Sequence, residues 1–262
     1  MKHKSTLSMA SAIISSLLLL PGCQKLQEAL KAHTVDPATS CKIKTFIYFE
    51  VPAQDTVVFY YNDLGNPIAG IWSQSKPHSN YYFRYDKHNR LQDWIAAYPS
   101  GTGVFWNRYF YADEKTQNSF FDSIYPDPSE IDKYPPPSVG NVQWDNFEYD
   151  SLNRVSKVIF SSRESVASTY DAKGDLILNG PQYSGPDDKV DFNRTSKVFQ
   201  FLDRDYSVNN TFIASKYNFL GLPEQVSIPF SGEGSQGFLG ISYITGNFEY
   251  DCNEISGHKG AL

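Results

Sequence analysis

The chain has 262 residues, with 23 basic against 29 acidic side chains and a formal net charge of −6. A net acidic chain without a dense cluster of Lys and Arg argues against nucleic acid as a partner, because such binding depends on neutralising phosphates. The length suits one all-β domain or two small domains.

The first 22 residues have the pattern of a signal peptide. A short positive stretch, residues 1–4, precedes an apolar run that is shorter than the roughly 20 residues of a transmembrane helix. The run ends in LPGC at residues 20–23, which resembles the lipobox of bacterial lipoproteins. The resemblance implies cleavage after residue 22 and a lipid on Cys23, which would anchor the protein to a membrane. An ordinary secretory signal with an incidental cysteine is the alternative.

Residues 23–40 are predicted to link this lipid to the folded domain. Apolar residues recur at i, i+3 and i+4 over 24–33, which indicates a short amphipathic helix, and a proline follows it. The residues after Cys23 lack the acidic run that resembles a surface-export signal. This favours the periplasmic face of the outer membrane over the cell surface.

Residues 41–262 are predicted to form a single all-β domain. The helical period is absent, and runs rich in β-branched and aromatic residues alternate with turn formers. The expected fold is an antiparallel meander of repeated hairpins in a long, twisted, curled sheet, with closure toward a barrel left open. The predicted strands are 43–51, 55–62, 81–86, 91–98, 103–112, 142–150, 155–162, 196–203, 211–218, 223–230 and 241–251.

Two cysteines, Cys41 and Cys252, stand near the two ends of this domain. In an oxidising periplasm such a pair can close a disulfide, which the loop-entropy model values at about 4–5 kcal/mol. Two buried free thiols are the alternative. Two cysteines without a nearby pair of histidines do not make a zinc site, and we predict neither a metal nor a cofactor.

One turn pattern is spelled five times, as YNDLG, YDKHN, YDSLN, YDAKG and YNFLG beginning at residues 61, 85, 149, 170 and 217. Asp or Asn in second place can accept backbone N–H groups, and the final Gly or Asn tolerates positive φ. Together they predict a type I turn followed by a left-handed residue and a bulge, a common hairpin connection. Weaker copies begin at Tyr111 and Tyr250.

These strings resemble the YD repeats of the RHS family, whose units centre on Tyr-Asp-x-x-Gly-Arg before a hydrophobic strand. They also resemble Bacteroidetes-type lipoproteins of unknown function that carry such turns. Here an Asn-Arg pair stands at 89–90 and 153–154, and Gly stands at 65, 174 and 221. The resemblance implies a hairpin-repeat sheet. It does not imply the enclosed shell of the RHS family, which needs many more repeats.

Candidate catalytic groups are few, since no familiar nucleophile, metalloprotease or phosphate-loop motif is present. Two pairs of carboxylates lie close in sequence, Asp187–Asp188 and Asp203/Asp205, as the acids of a glycosidase could. An acidic β protein also offers such pairs by chance. The Pro-rich, acidic segment 113–141 is too long for a simple return loop and is predicted to cover one face as a lid.

Aromatic residues are the remaining signal for a ligand. Exposed tryptophans could stack on sugar rings, whereas buried ones would belong to cross-strand packing and the core. The candidates for such stacking are Trp72, Trp94, Trp106 and Trp144.

The sequence thus predicts a lipid-anchored, cell-envelope binding or scaffold protein without catalytic activity. Its partner would be a glycan or another envelope protein, besides the membrane reached through its lipid. The alternative is a carbohydrate-active hydrolase or accessory domain that uses loop carboxylates.

Overall fold

A computed structural model describes residues 40–50, 53–74, 78–98, 104–112, 115–123, 143–160, 163–177, 186–211, 213–227, 238–241 and 245–252. The predicted signal peptide, Cys23 and the predicted helix over 24–33 lie outside these described residues. Within the described part of the chain, no helix combines the length and apolar character needed to cross a membrane.

The described strands form one antiparallel sheet of thirteen, which confirms the predicted all-β class and hairpin meander. The strands are β1 (Cys41–Glu50), β2 (Ala53–Tyr61), β3 (Pro67–Trp72), β4 (Asn80–Tyr85), β5 (Leu91–Ala97), β6 (Val104–Ala112), β7 (Lys115–Ser123), β8 (Gln143–Tyr149), β9 (Val155–Ile159), β10 (Val166–Ala167), β11 (Ile213–Tyr217), β12 (Pro223–Ser227) and β13 (Thr245–Cys252). A 3-10 turn (Phe192–Thr195) and helix α1 (Lys197–Asp203) stand between β10 and β11.

The strand order places the first and the last described strands, β1 and β13, side by side inside the sheet. Strands β1 to β10 follow one another as a meander, while β13 pairs with the free side of β1 and carries β12 and β11 beyond it. Cys41 and Cys252 are register partners in β1 and β13, and their sulfurs are joined in a disulfide bond. Among the described strands, β10 and β11 form two separate edges, so the sheet is open and does not close into a barrel.

Helix α1 and the 3-10 turn cover one face of the sheet, which we call the core face; the opposite face is the outer face. The rings of Phe59 and Phe199 lie 5.5 Å apart between centroids, and those of Phe192 and Phe248 lie 4.7 Å apart. Both pairs join a sheet residue to a residue of the covering segment. Burial of these large rings supplies much of the driving force for covering the sheet.

The strand predicted over 196–203 is wrong, because these residues form helix α1. The side chain of Ser196 accepts a hydrogen bond from the N–H of Val198, which caps the start of the helix. Val198 and Phe199 are buried against the sheet. Packing and the cap therefore override the strand preference of the aromatic and β-branched residues in this segment.

The lid predicted over 113–141 is also corrected in part. Residues 115–123 form β7, which pairs with β6 on one side and β8 on the other. The remainder of the predicted lid, 124–141, lies outside the described residues. A polar sequence joined the sheet here because an interior strand takes its hydrogen bonds from two neighbours whatever its side chains.

All five predicted turns are confirmed by their backbones. The final residue of each turn has positive φ, 59° at Asn153 for example, and the others are Gly65, Asn89, Gly174 and Gly221. In the turn at 150–154, Asp150 Oδ1 accepts the N–H groups of Leu152 and Arg154 at 2.9 and 3.0 Å. The same two bonds recur at Asn62, Asp86, Asp171 and Asn218.

These turns all lie at one end of the sheet. They follow β2, β4, β8, β10 and β11, which occupy alternate places in the antiparallel order and therefore run in the same direction. We call this end the turn rim; it comprises residues 62–66, 86–90, 150–154, 171–175 and 218–222.

The tyrosine before a turn ties its strand to the neighbouring hairpin. The hydroxyl of Tyr85 donates to the carbonyl of Pro67 at 2.6 Å, and that of Tyr111 donates to Leu91 at 2.6 Å. Tyr61 and Tyr250 make the same kind of bond to Ile43 and Pro223. Burial is the main cause that raises the pKa of all four phenols, which keeps them protonated as donors.

The arginine that follows a turn has a double role that the sequence did not reveal. Arg154 pairs with Asp150 of its own turn at 2.7 Å, and its guanidinium lies 3.8 Å from the ring centroid of Tyr170 in the next repeat. Arg90 pairs with Asp86 and stacks over Tyr111 in the same way. Cation–π contacts thus link successive repeats.

The left-handed residue of the turn gives a first prediction. Replacing Asn153 with Val should lower the free energy of unfolding by about 1–2 kcal/mol, because its Cβ branches clash at positive φ. Urea unfolding of the full chain measures this, with Asn153→Gly as the matched control, which should stay near wild type. A stable Asn153→Val variant would refute the assigned turn.

The inter-hairpin bond gives a second prediction. Tyr85→Phe should cost about 1 kcal/mol, because the Pro67 carbonyl loses its donor while the ring stays in place. Tyr60→Phe is the control: this ring is 51% exposed, and its loss of a hydroxyl should change little. Equal effects of the two substitutions would mean that the hydroxyl bond contributes nothing.

Candidate functional site

A groove of about 390 Å³ crosses the outer face where β1, β13, β12 and β11 lie side by side. Strand pairing aligns one residue from each of four strands into a row: Ile47 opposes Asn247, Asn247 opposes Gln225, and Gln225 opposes Lys216. These residues alternate with the buried residues of the core face, so their side chains face outward. The groove is lined by this row together with Glu224, Phe248, Glu249 and Tyr250.

The groove is polar, and its side chains are already oriented. Lys216 Nζ lies 2.6 Å from a carboxylate oxygen of Glu224. Glu249 accepts a 2.9 Å hydrogen bond from the hydroxyl of Thr45, and Gln225 accepts one from Ser215 at 2.9 Å. Each of these contacts leaves further donor or acceptor capacity on a carboxylate or an amide.

Asn247 stands at the centre of the row. Its Oδ1 atom is shielded from solvent and has no hydrogen-bond donor among the described residues. A shielded acceptor without a donor is costly, and ligand sites are one place where such groups are retained. The sequence did not single out Asn247, Gln225 or Glu249, because the row exists only through the pairing of β13 with β1 and β12.

Of the four predicted stacking tryptophans, the three with described side chains are buried or partly buried. Trp72 is 4% exposed on the core face, where it stacks on His78 with ring centroids 4.1 Å apart. Trp94 is partly buried against the core. Neither Trp72 nor the fully buried Trp106 presents a free ring face to a sugar, so these two assignments are corrected. The side chain of Trp144 lies outside the described residues.

Trp106 belongs to a buried polar cluster on the outer face. Its indole N–H donates to Asp93 Oδ1 at 2.8 Å, and Arg108 holds both carboxylate oxygens of Asp93 at 2.7 and 2.9 Å. The guanidiniums of Arg84 and Arg108 lie 5.2 and 5.6 Å from the indole ring. These contacts explain why a tryptophan on the outer face is sequestered.

The predicted carboxylate pairs do not converge on a cleft. Asp203 is half-buried with its Oδ2 shielded from solvent, and its Oδ1 accepts the N–H of Leu239 at 2.8 Å. Asp205 is buried and accepts the N–H of Ser207 at 2.9 Å. Asp205 therefore holds its local backbone, and Asp203 holds the backbone of a segment 36 positions away. A third acid that sequence reasoning missed, Asp191, caps the 3-10 turn. Burial, and next to it the charge of Asp205, raises the pKa of Asp191 well above its usual value.

The two acids of the other pair, Asp187 and Asp188, have different partners. Asp187 accepts hydrogen bonds from the hydroxyl of Tyr217 and from the amide of Asn210. Asp188 is exposed and pairs with Lys189 at 2.7 Å. In neither predicted pair, Asp187–Asp188 or Asp203/Asp205, do both carboxylates face a common position for a substrate.

The two described histidines, His78 and His88, have surroundings that do not resemble a metal site. His88 is exposed in a turn, and His78 stacks on Trp72 and contacts Tyr48 edge-on. Over the described ranges, no three His, Cys, Asp or Glu side chains come together as a potential metal site.

The acid Asp203 gives a third prediction. Burial is the main cause that raises the pKa of Asp203 well above its usual value. The folded protein therefore favours the protonated acid, and the free energy of unfolding falls as the pH rises from ~4 toward the folded-state pKa. Asp203→Asn removes the charge and keeps an oxygen for the N–H of Leu239. We expect the free energy of unfolding of this variant to exceed that of wild type by about 1–2 kcal/mol at pH 8. The difference should shrink at pH 4, where wild-type Asp203 is protonated.

Urea unfolding of the full chain at the two pH values measures this difference. Asp188→Asn is the control, since an exposed ion pair contributes little. A variant no more stable than wild type at pH 8 would mean that Asp203 is not destabilised by burial.

Comparisons with known proteins add no family to this geometry. No protein-family model matches the chain, and no curated protein matches it either. The function is therefore inferred from the residues and their arrangement in the sheet.

Proposed function

We propose that the protein is a lipid-anchored component of the bacterial cell envelope that binds a glycan through the outer-face groove without catalysing a reaction. The row of Asn247, Gln225 and Lys216 beside Ile47 is the observation that carries this proposal. It combines donors, acceptors and one apolar side chain within a groove of about 390 Å³, within the usual size range of small-ligand sites.

The chemistry of the lining supports a glycan over an apolar ligand. A sugar presents several hydroxyls that both donate and accept hydrogen bonds. An amide side chain can pair with them in both ways, because it carries an NH₂ donor and a carbonyl acceptor. The shielded Oδ1 of Asn247 is an acceptor to which a hydroxyl could donate after a small local adjustment. Ile47 offers an apolar surface for the C–H face of a ring.

The two carboxylates in the groove support binding rather than hydrolysis. Glu224 is paired with Lys216, and Glu249 is held by the hydroxyl of Thr45. A hydrolase would need one acid protonated and a second one free across the scissile bond. Both groups instead fit a role in positioning ligand hydroxyls.

The disulfide between Cys41 and Cys252 supports a location outside the cytoplasm. Disulfides form and persist in oxidising compartments such as the periplasm, whereas cytoplasmic thiols are kept reduced. This agrees with the lipobox-like sequence that ends at Cys23. A lipid there would fix the protein to the outer membrane, with the periplasmic face favoured.

Binding is tested with a panel of purified cell-envelope and plant polysaccharides and the full-chain protein. We expect at least one glycan to raise the melting temperature, with no release of reducing sugar. Gln225→Ala should weaken that binding at least tenfold, because an amide that contacts the ligand is lost. Gln54→Ala, an exposed amide away from the groove, is the matched control.

Two outcomes contradict the proposal. Absence of a response to every glycan would exclude glycan binding and favour a protein partner. Release of sugar that is abolished by Glu249→Gln would identify a hydrolase instead.

A further inference from the structure

Three apolar side chains protrude from the turn rim. Leu64 is 71% exposed, Leu152 is 70% exposed and Phe219 is 76% exposed. The other large exposed hydrophobic residues of the described chain lie between 41% and 51%. The most exposed apolar groups are thus concentrated at hairpin tips, although exposure of a lone apolar residue would need no explanation.

The tips are held outward by the turns themselves. Leu64 precedes Gly65 and Leu152 precedes Asn153, the residues of positive φ that reverse the chain. Phe219 directly follows Asn218, whose side chain accepts the two N–H groups of its turn. Each apolar side chain therefore sits on a rigid hairpin end.

The described chain begins and ends at this same rim. Strand β1 starts there at Cys41, and β13 finishes there at Cys252. In the strand order, this junction lies midway between the hairpin of Leu64 and that of Phe219. It is two strand spacings, about 10 Å, from each of them.

The segment that leads to the proposed lipid is short. Cys23 and Cys41 are 18 positions apart, so even a fully extended chain reaches roughly 60 Å. A lipid on Cys23 therefore tethers the sheet by its rim. Tethering raises the effective concentration of the rim at the bilayer, so weak contacts made there can persist.

We propose that the turn rim is the membrane-facing surface of the protein, with Leu64, Leu152 and Phe219 contacting the interfacial layer of a lipid bilayer. The proposal rests on the lipid anchor of the proposed function. It goes beyond that function because it assigns which end of the sheet meets the membrane and which side chains touch it.

The charge of the rim indicates an apolar contact. Asp86 and Asp150 are paired with the arginines of their own turns. The exposed Lys87 and Lys173 are offset by Asp63 and Asp171, which belong to the same rim. The fifth acid of the rim, Asp175, is buried and accepts hydrogen bonds from Asn209. A balanced surface gains little from anionic lipid, so the contact should form equally on zwitterionic membranes.

The spacing of the three tips fits a bilayer better than a protein partner. The hairpin of Leu152 lies six strand spacings from that of Leu64, so these side chains do not form one contiguous apolar patch. Protein interfaces usually centre on such a patch, whereas a bilayer accepts separate anchors along a line.

The test uses full-chain protein processed in a bacterium and reconstituted into phosphatidylcholine vesicles. The vesicles carry a phospholipid with a photoactivatable diazirine high in its acyl chain. Flotation reports the lipid anchor, and mass spectrometry of the labelled peptides reports which residues touch lipid. We expect floated protein to be labelled at residues 64, 152 and 219, with the same yield when anionic lipid is added.

Two triple variants sharpen the assignment. The rim variant combines Leu64→Ser, Leu152→Ser and Phe219→Ser, and it should still float but lose at least fivefold of the labelling. The control combines Phe105→Ser, Val166→Ser and Ile213→Ser, exposed side chains at the starts of β6, β10 and β11, which are the strand ends opposite the rim. The control should keep the wild-type labelling, and unchanged circular dichroism of both variants checks the fold.

The outcomes separate the two proposals. Wild-type protein that floats without label at the rim overturns the membrane-facing rim and leaves the lipid anchor standing. Wild-type protein that does not float overturns the anchor, and the rim assignment falls with it. Crosslinks from the rim to an envelope protein in whole cells, with no lipid label, would assign the rim to that protein instead.

Discussion

The pairing of β1 with β13 is the contact on which the rest of the structure depends. It is the only link, among the described strands, between the meander β1–β10 and the three strands β11–β13. The disulfide between Cys41 and Cys252 closes this link across 211 positions of sequence. On the loop-entropy model, such a bridge contributes about 5 kcal/mol by restricting the unfolded chain. The row of the groove and the position of the rim follow from the same pairing.

The sequence was informative where structure is local. A turn is specified by residues four or five positions apart, so the acceptor at Asp150 and the positive φ at Asn153 were readable directly. The hairpins and the all-β class followed from the same signals. Segment 196–203 was misread because its fate depended on rings from distant strands, such as Phe59, and on a cap at Ser196. Strand propensity alone does not contain that information.

Sites that form through the register of paired strands could not be predicted from the sequence for the same reason. Asn247 and Gln225 become neighbours only when β12 pairs with β13, and their strands are separated in sequence. Trp106 is buried on the outer face because Arg84, Asp93 and Arg108 gather round it, and nothing in the alternation of its strand announces that. The predictions of Trp106 and Trp72 as stacking residues were wrong because of this cluster and because His78 stacks on Trp72. The candidate groove is lined largely by polar residues that belong to no sequence motif, so the sequence alone did not indicate it.

The two proposed surfaces are compatible in space. The groove lies on a face of the sheet, while the rim is one end of its strands. A protein held by its rim would stand with its strands pointing away from the bilayer, so the outer face would remain open to large ligands at its side.

The contacts between hairpins affect how the length of such a sheet can change in evolution. Tyr85 bonds to the adjoining strand, and Arg154 stacks on the ring of the following repeat. These contacts at the turns join each hairpin to the next one, which is the kind of nearest-neighbour coupling that makes repeat arrays modular. Gene duplication could then lengthen the sheet at its β10 edge by whole hairpins, leaving the disulfide junction and the groove beside it untouched.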